Sequence, residues 1–164
     1  MRRIALLLLS LILFAGACKK GTDEEPTPDP VATTGGSFTI DGKTYMADYA
    51  DWSGRNGLRI ANLPQAPDYI VNSIEIAIDS LYFSNTFTYR RHNDATYDKK
   101  KNFFDALITY TPSGVFGQGR GIAGVTAGNV NVTRKEEIFT VGFDIIVAGK
   151  PVTGSYTGKI VGRK

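Results

Sequence analysis

The stretch NVNVTRKEEIFTVGFDIIVAGKPVTGSYTGKIVG, residues 129–162, decides the fold. It reads as three consecutive strands joined by tight turns at KEE and GKP. Phe139, Val141, Phe143, Ile145 and Val147 recur at every second position, which puts them on one face of an extended chain. Val152, Tyr156 and Ile160 repeat the pattern on the last strand, with Gly154 and Gly158 between them. Small residues alternating with large ones on an inward face suit a strongly bent strand at the wall of a small barrel.

Working outward, the same period continues towards the N-terminus. SFTIDGKTYMA, residues 37–47, is a β-hairpin signature, because a type I′ turn needs positive φ at both central positions and Asp41-Gly42 supplies it. Ile74, Ile76 and Ile78 alternate with Ser73, Glu75 and Ala77, as a half-buried strand requires. Phe87 and Tyr89 alternate likewise, and residues 106–110 form a shorter β-branched and aromatic run. Helical periodicity is absent after the N-terminal apolar run. Eight to ten strands, roughly 8 to 14 residues apart, predict an all-β antiparallel meander closed as a small barrel, with a calycin-like form among the options, or folded as a sandwich. From Ser37 to Lys164 the chain is long enough to bury a core of its own.

The first 36 residues are of a different kind. Arg2 and Arg3 precede an uncharged apolar run, Ile4 to Phe14, followed by the small residues Ala15, Gly16 and Ala17: the layout of an export signal over residues 1–17. The run is too short to cross a bilayer, which needs about 20 apolar residues at 1.5 Å each. Gly16, Ala17 and Cys18 resemble the lipobox of a bacterial lipoprotein signal peptide, in which the cysteine is acylated and becomes the new N-terminus; the family's usual leucine is replaced by Ala15. The resemblance implies lipid attachment at Cys18, the only cysteine in the chain. Two or more acyl chains hold a protein stably on a membrane, whereas one holds it marginally.

Residues 18–36 then read as the acylated cysteine and a flexible tether. KKGTDEEPTPDPVATTGG has no apolar period and carries three prolines, so it cannot bury a core. Fully extended, it reaches about 60 Å at roughly 3.3 Å per residue. Its acidic cluster, Asp23-Glu24-Glu25, resembles the export signal of surface-exposed lipoproteins of the Bacteroidota. The domain beyond it, in GSFTIDGKTY, NDATYDKKKNFFDA and PVTGSYTGKI, resembles small lipoproteins of unknown function from the same group. That resemblance implies an outer-membrane, lipid-anchored β-domain, periplasmic or surface-facing, and no particular activity.

Charge is distributed unevenly. The formal net charge of +3 falls to +1 without Arg2 and Arg3; the tether carries −2 and the domain +3. Residues 90–101 contribute +3 on their own, so the chain is near neutral with one basic loop, which argues against a nucleic-acid partner. Arg90, Arg91, Lys99, Lys100 and Lys101 bracket that loop and could hold an anionic glycan or lipid headgroup; the alternative is a solvated hairpin end. Tyr45, Tyr49 and Trp52 could form an aromatic platform for a glycan, or pack in the core.

Signs of catalysis are weak. One His and one Cys exclude the common zinc sites, so neither metal nor cofactor is expected. His92 stands two residues from Asp94, yet no serine sits in a nucleophile elbow, and Glu136-Glu137 falls in a turn. GRGIAG at Gly119, Gly121 and Gly124 matches a dinucleotide fingerprint, with Asp144 at the distance of a ribose-binding acid, but a helix must follow and NVNVT is strand-like. Asp79-Ser80-Leu81 resembles the short O-glycosylation motif of the Bacteroidota. These features predict a non-enzymatic binding or accessory module at the cell envelope, its partner an envelope protein or glycan. The alternatives are a carrier of a small apolar ligand, and an envelope enzyme or enzyme inhibitor.

Overall fold

In the computed structural model, residues 34–54, 57–81 and 84–162 are described. The export signal, Cys18 and nearly all of the tether lie outside them. Thirteen strands and no helix occur among these residues. In chain order they are β1 (Gly35–Ile40), β2 (Lys43–Ala47), β3 (Tyr49–Ser53), β4 (Gly57–Ala61), β5 (Ser73–Ala77), β6 (Asn85–Tyr89), β7 (Asn102–Phe103), β8 (Asp105–Tyr110), β9 (Arg120–Ala123), β10 (Val125–Lys135), β11 (Ile138–Val147), β12 (Lys150–Gly158) and β13 (Ile160–Gly162).

They form two sheets. One has the order β2-β1-β12-β11-β10-β6-β7 and the other β13-β3-β4-β5-β8-β9. Each sheet ends in two edge strands, so the barrel alternative is not realised and the fold is a sandwich. Pairing is antiparallel except at the margins, where β13 runs parallel to β3 and β6 parallel to β7. The strands beyond the expected eight to ten are the short β7, β9 and β13 and the division of one long run into β2 and β3.

The hairpin between β1 and β2 turns at Asp41 and Gly42, with φ of 53° and 73°, as a type I′ turn requires. Ile74, Ile76 and Ile78 all point into the core, as do Val141, Phe143, Ile145 and Val147, with Phe139 partly buried against it. Rings fill the middle: Phe38, Phe87, Phe103, Tyr110 and Tyr156 are each at most 2% exposed. Fully burying one such side chain stabilises by about 1.5–3 kcal/mol.

Of the five places where the chain changes sheets, two lie side by side. The run from Lys43 to Ser53 breaks at Asp48, whose amide donates to the Ala61 carbonyl at 2.8 Å, so β2 stays in the first sheet while β3 enters the second. The last strand breaks at Lys159, whose carbonyl accepts the Tyr156 hydroxyl at 3.0 Å, and β13 then lies beside β3. The expected single strand over residues 152–162 is therefore two.

Candidate functional site

A groove runs along the outer edge of β2. One part, about 350 Å³, is lined by Lys43, Thr44, Tyr45, Met46, Asn62, Ile70, Asn72, Thr111 and Gly114. Another, about 440 Å³, adds Asp48, Leu63, Gln65, Ala66 and Asp68. Met46, Asn62 and Ile70 belong to both, which makes the two parts continuous.

Its far wall is the loop NLPQAPDYIVN, residues 62–72, between β4 and β5. Asn62 and Asn72 close the base of this loop. Asn62 Nδ2 donates to the Ile70 carbonyl at 2.9 Å, and Asn62 Oδ1 accepts the Asn72 backbone amide at 2.5 Å. Asn72 in turn accepts the Thr111 amide at 2.8 Å, tying the loop to the end of β8. Asp48 accepts the Leu63 amide at 3.0 Å, fixing the loop to the corner between β2 and β3. With its backbone satisfied in this way, the loop holds apolar side chains in water. Met46 and Leu63 in the groove wall are 65% and 53% exposed, and Tyr69 on the same loop is 60% exposed. Exposed apolar side chains gathered around one groove mark an interaction surface more than scattered ones do.

Lys43 closes one end by donating to the Pro112 carbonyl at 2.5 Å, and Tyr45 forms part of the floor. Tyr45 is 6% exposed, stacked on Phe38 at 5.3 Å and edge-on to Tyr110 at 5.7 Å. Burial pushes its phenol up. The expected platform of Tyr45, Tyr49 and Trp52 does not assemble. Tyr45 is core, and the kink at Asp48 puts Tyr49 in the other sheet. Tyr49 shares a strand face with Asp51, beneath the Arg59 guanidinium at 5.5 Å, while Trp52 packs on the core side.

The basic loop is ordered by its own acids. Arg90 meets Asp94 at 3.6 Å and Lys101 meets Asp98 at 3.8 Å. Asp94 also accepts the Thr96 hydroxyl at 2.7 Å and its amide at 2.8 Å, and these bonds hold its carboxyl below the usual range. Asp98 caps the Lys100 amide at 2.9 Å. Buried Asn102 accepts the Asp98 amide at 2.8 Å and donates to the Thr88 carbonyl and hydroxyl, both at 3.1 Å. Arg91, Lys99 and Lys100 are exposed at the tip. The structure thus brings the five basic residues onto one loop, with Arg90 and Lys101 in ion pairs.

His92 does not pair with Asp94. Its Nε2 lies 3.5 Å from Asp79 Oδ2, the oxygen that also accepts the Tyr97 hydroxyl at 2.9 Å, and its ring packs on Tyr97 and Phe104. Burial, followed by that hydrogen bond, pushes the Tyr97 phenol well up. Asp79 of the Asp79-Ser80-Leu81 motif is thus engaged by two side chains. GRGIAG forms β9 and the turn into β10, with no helix behind it, so the fingerprint lacks its phosphate-binding element. Asp144 is exposed on β11, and among the described residues no three His, Cys, Asp or Glu side chains gather as metal ligands. No helix among these residues is long and apolar enough to cross a membrane.

The groove itself was not anticipated from the sequence. The signal it leaves there is the pair Asn62 and Asn72 bracketing a loop with two prolines and several apolar residues. Comparison with protein families, with curated proteins and with solved structures finds no match to this chain.

Proposed function

We propose that this chain is a lipid-anchored protein of the bacterial outer membrane whose β-sandwich acts as a non-enzymatic binding module. The observation that carries the binding part is the contrast between interior and edge. The core is closed around buried rings, whereas Met46 and Leu63 stay in water in the wall of a groove whose loop is held by side-chain to backbone hydrogen bonds. Interaction surfaces keep apolar side chains in water in this way, at a cost that binding offsets.

The anchoring part rests on Cys18 following Gly16-Ala17, at the end of an apolar run too short to span a bilayer. Anchoring supplies the membrane attachment, which leaves the domain's own surface for an envelope protein or glycan. The test is metabolic labelling with a fatty acid followed by fractionation. The native chain takes up label and sediments with membranes, and Cys18→Ala abolishes both; an unlabelled native chain overturns the anchor.

A further inference from the structure

We infer that the groove takes a short extended peptide bearing basic side chains, which adds to the first sheet as a strand beside β2. This rests on the binding-module reading and names the chemistry of its partner.

The first argument is the hydrogen-bond pattern of the edge. A two-residue type I′ turn makes the flanking pair, Ile40 and Lys43, exchange hydrogen bonds, and bonded pairs then alternate, at Phe38 with Tyr45 and Gly36 with Ala47. Thr44 and Met46 therefore direct their backbone N–H and C=O away from β1. The contact of the Thr39 and Thr44 hydroxyls at 2.9 Å fits the closer spacing of a non-bonded pair. No described residue meets those outward groups, and they face the groove. Another extended backbone satisfies donor and acceptor at that repeat in place of water.

The second argument compares the edges. The others are β7 with 2 residues, β13 with 3 and β9 with 4, each too short to template a strand. β2 has 5, and it is the edge walled by a braced loop.

The third argument is charge and side-chain chemistry. Asp48 and Asp68 line the open end, while the cation at the other end, Lys43, is committed to Pro112. A peptide alternating apolar and basic residues places the first against Met46 and Ile70 and the second near the two carboxylates.

The probe is an array of blocked hexapeptides in which either lysine or glutamate alternates with an apolar residue, read against the purified domain. Binding is expected in the lysine series. It should weaken at least tenfold when the amides facing β2 are N-methylated, and severalfold in Asp68→Asn. Thr44→Pro, which removes an outward N–H and no ladder bond, should weaken it at least tenfold with the melting temperature kept. No binding or indifference to N-methylation overturns strand addition, equal binding of both series overturns the basic partner, and the N-methyl arm leaves the protein unaltered. Whether Met46 is covered in the native envelope is a separate readout, so the binding-module reading stands or falls independently of these peptides.

Discussion

Phe143 on β11 and Gly154 on β12 face each other across the ladder, and the ring fills the volume that a side chain at 154 would take. A Cβ there would lie 2.5 Å from Phe143 Cζ and 2.5 Å from the Ser37 carbonyl oxygen. Gly154→Ala should therefore destabilise the domain by about 1–3 kcal/mol, through overpacking. Phe143→Leu in the same chain should cost less than the two changes summed, because it relieves one of the two clashes. Denaturant unfolding of the four chains checks this.

Asn102 organises the basic loop from beneath. Asn102→Ala leaves the Asp98 amide and the Thr88 carbonyl without these bonds and should cost about 1–3 kcal/mol. Amide exchange should speed up at residues 98–101 and hardly change in β11, which hydrogen exchange resolved by residue would show.

Asp51 and Arg59 form a cross-strand pair on the outer face of the second sheet, with Nη2 to Oδ2 at 2.5 Å and side chains 9% and 26% exposed. Arg59→Met should destabilise by about 1–3 kcal/mol, short of a fully buried pair because the guanidinium is partly in water. Little change in the unfolding midpoint would mean that the pair is not kept in solution.

Alkali tests the buried phenols. Tyr45, Tyr97 and Tyr156 are all pushed above the ordinary value of 10.0, burial being the first cause in each. A phenol raised on folding contributes stability that is complete below its unfolded value and lost as pH rises through its folded value. The unfolding midpoint should thus hold from pH 7 to 9 and fall above about pH 10. Tyr97→Phe should make that fall shallower, as followed by tyrosinate absorbance and circular dichroism together; an unchanged slope would contradict a raised Tyr97 phenol.

What was legible in the sequence is what a period of two encodes. The positions of Ile74, Ile76 and Ile78, the face of β11 and the Asp41-Gly42 turn follow from local rules of strand and turn. Period two says which side chains share a face, but not in which sheet a strand pairs. That choice rests on long-range contacts such as the Asp48 amide on the Ala61 carbonyl, and it separates Tyr45 from Tyr49. The parallel margins and the break at Lys159 are of the same kind. His92 stands two residues from Asp94 in sequence, while folding places Asp79, from another loop, beside its Nε2. The groove lies between β2 and residues 62–72 and 111–114, so only the asparagine pair could have hinted at it.

The central claim is that the β2 groove is occupied in the cell, and Met46 reports on it. It is one of two methionines, the other being Met1, and in the free domain it is 65% exposed. Peroxide oxidation of Met46, followed by mass spectrometry, compares the chain in intact envelopes with the purified domain. Oxidation should be severalfold slower in the envelope. Equal rates in the two would contradict it.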